Sequence, residues 1–210
     1  MKIKVFLLVL SMISFRAIGQ DQINAFITEA QGYLANKDYK NAQLSLTDAI
    51  NEINNLVAQQ VAQMLPKTVN GLSADGEGQV NTAGMGMMGG GITITQNYKN
   101  PTKPENTAEV QIMANSPMLA TMNMALGNPA MMGQGYKSVR VGSHRTIMKT
   151  EMQDFTDDNN NSKQIRSSEI QIPLSTNLIT INARGFATEA DELAFANKLD
   201  IDKVIAALGN

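Results

Sequence analysis

Cysteine and tryptophan are absent from this chain of 210 residues, and histidine occurs only once, at His144. Without cysteine the protein has no disulfides, no thiol nucleophile and no thiolate metal site. Phe, Tyr and Trp together make up 5% of the residues, whereas methionine occurs 14 times. Flexible thioether side chains therefore take the place of the usual aromatic side chains in filling apolar space.

The N-terminal segment is typical of a secretory signal peptide. Two lysines precede a short apolar run at residues 5–13, and residues 17–19 form a small-residue cleavage site. The run is too short to span a bilayer, and no cysteine follows the cleavage site to carry a lipid anchor. We expect residues 1–19 to be removed. The mature protein, beginning at Gln20, is then exported to the periplasm or the extracellular space.

The charge balance argues against a nucleic-acid partner. Without the three basic residues of the signal peptide, 14 Lys and Arg remain against 19 Asp and Glu, which gives a net charge of about −5. Nucleic-acid-binding domains are basic, and no stretch of this chain is rich enough in Lys or Arg to dock on an anionic membrane. We therefore expect no nucleic-acid partner, and no transmembrane segment once the signal peptide is removed.

Residues 20–66 have the periodicity of two helices. Apolar residues recur at spacings of three and four over residues 22–34 and again over residues 39–64, and residues 36–38 interrupt the pattern. Pro66 ends the second helix because proline cannot continue the backbone hydrogen-bond ladder. These residues are predicted to form a helical hairpin.

From residue 67 the hydrophobic period changes to two, which is typical of strands with one polar side. A short strand is predicted near Leu72, and longer strands at residues 92–98, 108–113, 137–141, 145–152, 169–174 and 178–183. Most connections between them are too short for a parallel crossover, so the sheet should be antiparallel.

Two further helices are predicted in the same region. Ser116 and Pro117 begin a short apolar helix that residues 127–129 end, and Thr188 caps a helix near the C-terminus. The C-terminal helix should cover the apolar side of the sheet. Residues 67–210 are therefore predicted as one α+β domain, an antiparallel sheet flanked by helices.

The order of these elements resembles the PsbP-like fold. Local motifs in this region are Leu65-Pro66, Gly71-Leu72, Met88-Gly89-Gly90-Gly91 before a strand, Asn115-Ser116-Pro117-Met118-Leu119 and Asn128-Pro129-Ala130. They are similar to those of a group of uncharacterised exported bacterial proteins, over about residues 65–205. The resemblance implies an antiparallel sheet flanked by helices. It implies no activity, because one fold can serve unrelated functions.

Methionines supply the candidate binding site. They lie in a glycine-rich loop, on the short helix and just after it: Met85, Met87, Met88, Met118, Met122, Met131 and Met132. Methionine-rich surfaces adapt to varied apolar partners, so we predict a non-catalytic protein that binds a partner protein or a small apolar ligand here. The glycine-rich loop and the short helix would form a flap over the bound partner or ligand. Neither a cofactor nor a metal is part of this prediction.

Two alternatives use the same methionines. Thioethers are soft ligands that suit Cu(I), and Met118 and Met122 are one helical turn apart, so a copper-handling protein is the second hypothesis. The methionines could also serve only as flexible apolar packing.

Catalytic motifs are weak, and the sequence predicts that the protein is not an enzyme. Ser143 and His144 are adjacent, but neighbours on a strand point to opposite faces and cannot share a proton. The turn at residues 154–160 has calcium-loop spacing, yet Asn159 and Ile165 occupy positions that need glycine and glutamate. Residues 84–91 lack the lysine of a phosphate-binding loop. An unrecognised hydrolase is the third hypothesis.

Overall fold

The computed structural model describes residues 2–81, 91–126, 133–157 and 159–209. The chain divides into two compact units, Met1–Leu56 and Val57–Asn210. Helix α1 spans Lys2–Ala35 and helix α2 spans Tyr39–Met64, so the division falls within α2. The arrangement is an α+β fold with an N-terminal helical pair, as predicted from the hydrophobic periods.

A turn at residues 36–38 joins the two helices, where the sequence predicted an interruption. One carboxylate oxygen of Asp38 accepts a hydrogen bond from the backbone N–H of Asn41, at 3.2 Å. This bond satisfies one of the N–H groups that the first turn of a helix leaves unpaired. Helix α1 begins at Lys2, well before residue 22, where the periodicity placed its start.

Nine strands of the described residues form one antiparallel sheet. Their bounds are β1 Thr68–Val69, β2 Leu72–Ala74, β3 Gln79–Asn81, β4 Ile92–Lys99, β5 Thr107–Ala114, β6 Tyr136–Val141, β7 His144–Thr156, β8 Ser162–Pro173 and β9 Leu178–Arg184. The order across the sheet is β1-β2-β4-β5-β9-β8-β7-β6, and β3 also pairs with β4. The predicted antiparallel pairing is confirmed.

The remaining helices are α3 at Pro117–Leu126, α4 at Glu189–Asn197 and α5 at Ile201–Ala207. Thr188 caps α4 as predicted. Its hydroxyl accepts from the backbone N–H of Asp191 at 3.2 Å, and the Asp191 carboxylate accepts in return from the Thr188 N–H at 3.0 Å. Two otherwise unpaired N–H groups are satisfied in this way.

The alternation of side chains gives the sheet an apolar face and a polar face. Ile94, Val110 and Ile181 lie on the apolar face and are buried in one core with side chains of α4, α5 and the end of α2. At its centre the ring of Tyr98 packs edge-on against Phe195, with the centroids 5.4 Å apart. Burial raises the pKa of the Tyr98 hydroxyl to about 12. The predicted covering of this face by the C-terminal helix is confirmed.

The end of α2 and the residue after it contribute to this core. Val61 and Leu65 are buried in it, although the sequence placed both residues in the N-terminal hairpin. The predicted domain boundary at residues 66 and 67 stays a prediction, and the stability of shortened chains can test it.

An ion pair between a partly buried arginine and a buried glutamate joins α4 to the sheet. The Nε of Arg166 on β8 donates to both carboxylate oxygens of Glu192, at 3.0 Å each, and Glu192 is fully buried. A terminal nitrogen of Arg166 donates to the hydroxyl of Thr150 on β7 at 3.2 Å. Both strands and the helix are therefore connected through one guanidinium group.

We expect Glu192 to make the stability depend on pH. Burial raises the pKa of its carboxyl above the ordinary value of 4.5, and the hydrogen bonds from Ser168 and Arg166 offset only part of this rise. The folded protein therefore binds this proton more tightly than the unfolded chain does. Glu192 contributes stability that is fully present below about pH 4.5 and is lost as the pH rises through the folded pKa.

The measurement is urea unfolding of the wild type and of Glu192→Gln at several pH values from about 3.5 to 7. The free energy of unfolding of the wild type should fall relative to that of the variant as the pH rises. A difference between the two proteins that stays constant over the whole range would contradict the assignment.

Candidate functional site

Two of the seven predicted site residues lie in the described part of the chain. They are Met118 and Met122, both on α3. The other five, Met85, Met87, Met88, Met131 and Met132, lie outside the described residues, as does the predicted helix stop at residues 127–129. The site can therefore be built from α3 and what it packs against.

Helix α3 lies on the polar face of the sheet. Its Leu119 and Leu126 are buried against Ile147 of β7 and Leu178 of β9, which form an apolar patch on this face together with Met113. The strands have one polar side as predicted, and this side also carries a small apolar patch. Helix α3 is apolar nearly all round in sequence, but only one of its sides is packed against that patch.

The methionines of α3 lie on its other sides. The exposed fractions are 47% for Met118 and 41% for Met122, and Met124 is exposed over 82% of its surface. Residues four apart on a helix are neighbours, so Met118 and Met122 form one strip beside the buried leucines. Met124 points to a different side of the helix. We refer to Met118 and Met122 as the methionine strip.

Hydrogen bonds hold α3 in place. The side-chain amide of Asn123 donates to the backbone oxygens of Leu174 and Asn177, the second at 2.8 Å. In return the Asn177 side chain accepts from the backbone N–H of Asn115 at 3.0 Å, just before the helix. The turn between β8 and β9 therefore fixes the helix that presents the methionine strip. This anchor could not be predicted from the sequence, because Asn123 and Asn177 are 54 residues apart.

The copper hypothesis requires further soft ligands near the strip. The ring Nε2 of His144, the single histidine, lies 2.7 Å from a carboxylate oxygen of Asp202, next to α5 rather than α3. In the described part of the chain, no three His, Asp or Glu residues are grouped so that they could hold a metal ion. The strip alone provides two thioethers one turn apart.

In the described residues, no arrangement of side chains supports the hydrolase hypothesis or a calcium-binding loop. His144 is paired with Asp202, and no hydrogen bond joins it to the hydroxyl of Ser143. Between β7 and β8, the Asp157 carboxylate accepts from the backbone N–H groups of Asn159 and Asn161, at 2.9 and 2.8 Å. The hydrogen bond from the side-chain amide of Asn161, together with those from the backbone of Asn161 and Asn159, holds the pKa of Asp157 below its usual range.

A cleft of about 630 Å³ lies at the opposite end of the polar face from α3. Its floor is formed by β4, β5 and β9, and one wall by the loop at residues 100–106. Lys99, Thr107 and Arg184 are neighbours on its floor. The alternation of each strand predicts that these side chains share a face, but only the strand order and register bring them together.

Comparisons with known proteins leave the family open. No family model matches this chain, and no curated protein is similar to it. Among solved structures it is similar to a protein from Bacteroides thetaiotaomicron VPI-5482, whose crystal structure was determined at 1.50 Å resolution. The identity is 13% and the TM-score 0.35, over 58% of this chain and 42% of that one. The chain thus spans less than half of that protein, and function has to be argued from its own residues.

None of the helices in the described residues is both long enough and apolar enough to cross a membrane.

Proposed function

We propose that this chain is an exported, non-catalytic binding protein that holds an apolar segment of a partner protein against the methionine strip of α3. The single observation that carries the proposal is the exposure of Met118 and Met122 on a helix that packs against the sheet on its other side and is hydrogen-bonded to the turn between β8 and β9. The proposal includes export, which the signal-like N-terminus predicts, and a PsbP-like fold, which the resemblance implies. Neither of them implies an activity of its own.

The physical basis is the cost of exposing apolar surface. Each thioether side chain that leaves water on binding contributes roughly 25 cal/mol per Å² of apolar area. Methionine has several rotatable bonds, so the strip can adapt its shape to an apolar segment without a matched cavity. Because Asn123 fixes the helix beneath it, little backbone order has to be gained when a partner binds.

Cu(I) handling is the second candidate function, because Met118 and Met122 are one turn apart on the exposed side. Thioether sulfur suits Cu(I), whereas a partner protein needs only apolar contact. Leucine keeps the apolar contact and removes the sulfur. Substitution by leucine therefore separates the two functions.

We expect Met118→Ser with Met122→Ser to weaken partner binding by roughly 10-fold or more, which corresponds to about 1.4 kcal/mol of lost apolar contact. The double leucine variant should bind the partner nearly as well as the wild type. Stability should change little, because both side chains are exposed. The measurement is the amount of the same partner recovered with each variant after export, together with the copper content of the purified proteins.

Met124→Ser is the matched control, since it removes a thioether from a different side of the same helix. It should leave partner recovery unchanged. If the double serine variant and the wild type recover equal amounts of the partner, the proposal of partner binding is overturned. Loss of bound Cu(I) in the leucine variant, with no partner recovered by any variant, would favour the copper function instead.

A further inference from the structure

The cleft at the far end of the polar face contains two rows of side chains. Lys99, Thr107 and Arg184 occupy directly paired positions on β4, β5 and β9. Neighbouring strands are about 4.8 Å apart, so two cationic side chains flank one hydroxyl group. We call these three residues the basic row.

The second row lies two residues further along each strand. It consists of Asn97, Glu109 and Asn182, again in directly paired positions. The side-chain amide of Asn182 donates to a carboxylate oxygen of Glu109 at 3.2 Å, which keeps that carboxylate on the cleft floor. Two residues along a strand cover about 6.8 Å, so an acidic group and the basic row lie roughly that far apart.

Hydrogen bonds fix the wall of the cleft. The side-chain amide of Asn106 donates to the backbone oxygen of Arg184 at 3.2 Å, and the amide of Asn100 donates to the Asn106 side chain at 3.1 Å. Gly185, with φ of +69°, lies so close to this loop that a Cβ would come within 2.3 Å of the Glu105 backbone oxygen. The backbone that carries Arg184 is therefore held firmly in position.

The charges of the cleft are only partly paired. The amine of Lys99 lies 2.8 Å from a carboxylate oxygen of Asp75, and both side chains are exposed. In the described residues, no ion pair or hydrogen bond involves the guanidinium group of Arg184. A planar guanidinium with free donors matches the geometry of a carboxylate. The neighbouring Glu109 disfavours a dianion such as phosphate but favours a cationic group on the same ligand.

We propose that this cleft binds a short peptide through both of its free termini. The terminal carboxylate accepts hydrogen bonds from Arg184, Lys99 and Thr107, and the terminal ammonium pairs with Glu109. Two extended residues span about 7 Å, which matches the distance between the two rows. A cleft of about 630 Å³ also has room for a peptide of this size.

The test is an NMR titration of the full-length, isotope-labelled protein with dialanine, N-acetyl-dialanine and dialanine amide. Dialanine should shift the amide signals of residues 97–109 and 182–185 in a saturable manner. Each blocked peptide lacks one charged end and should bind roughly 10-fold more weakly or worse. Inorganic phosphate should not saturate these signals.

Variants that remove one charge from the cleft show which residue binds which end of the peptide. Arg184→Gln should weaken the binding of dialanine at least about 10-fold and leave the binding of dialanine amide unchanged. Glu109→Gln should weaken the binding of dialanine to a similar degree and leave the binding of N-acetyl-dialanine unchanged. Arg140→Gln, which removes an exposed arginine from β6, is the control and should change neither. Equal binding of all three peptides, saturation by phosphate, or no shift with dialanine would each overturn the proposal.

Discussion

Replacing Arg166 with alanine should lower the free energy of unfolding by about 3–5 kcal/mol, because it leaves the Glu192 carboxylate buried without its partner. Both carboxylate oxygens of Glu192 accept from Arg166 at 3.0 Å, and Glu192 has no solvent exposure. Part of the loss will be relieved by protonation of Glu192, since burial already raises its pKa. Urea unfolding of the variant at neutral pH gives the number directly.

Two further variants test whether the loss of stability comes from the ion pair. Arg145→Ala removes an exposed arginine from the adjacent strand β7 and should change stability by no more than about 0.5 kcal/mol. Arg166→Met combined with Glu192→Leu should recover most of the loss, because apolar side chains of similar volume can replace a buried ion pair. If Arg166→Ala and Arg145→Ala cost the same, the ion pair does not hold α4 to the sheet.

A chain that begins at residue 67 should be less stable than one that begins at residue 57 by roughly 3–6 kcal/mol. Val61 is fully buried and Leu65 is exposed over 4% of its surface, both in the core of the sheet. Full burial of such a side chain contributes about 1.5–3 kcal/mol. The sequence predicts that residues 67–210 fold alone. The structure adds the expectation that they do so with a substantially weakened core.

Thermal and urea unfolding of the two shortened chains measure the difference. Both should unfold cooperatively if α4 and α5 close the sheet, with the lower midpoint for the chain that lacks residues 57–66. Identical midpoints would show that the end of α2 adds nothing to the core. The boundary predicted from the change of period would then be supported.

The architecture was largely predictable because alternation and helix signals are local. The strands around Ile94, Val110 and Ile181 follow the period of two, and Thr188 occupies the position where a helix cap was expected. Two or three residues are too few to show a period, so the strands β1 and β3 were missed and β2 was expected only as a short strand near Leu72. Strand β7 extends to Thr156, beyond its predicted end, because its outer residues pair with β8 without being buried.

The candidate sites were predictable only in part. Leucine and methionine have similar hydropathy, so the sequence could not decide which side of α3 packs and which faces water. In the structure, the side with Leu119 packs against Leu178, and Met118 and Met122 lie outside this packed side and are exposed. The cleft was not foreseen at all, since Lys99 and Arg184 meet only through the register of β4, β5 and β9.

Photocrosslinking from the methionine strip tests the proposed function most directly. A photoreactive methionine analogue placed at position 118 of the exported protein should give one dominant adduct of defined mass. Met122→Ser should suppress that adduct, and the same analogue at position 124 should not form it. Identical adducts from positions 118 and 124, or no adduct from either, would contradict the account that α3 presents a partner-binding methionine strip.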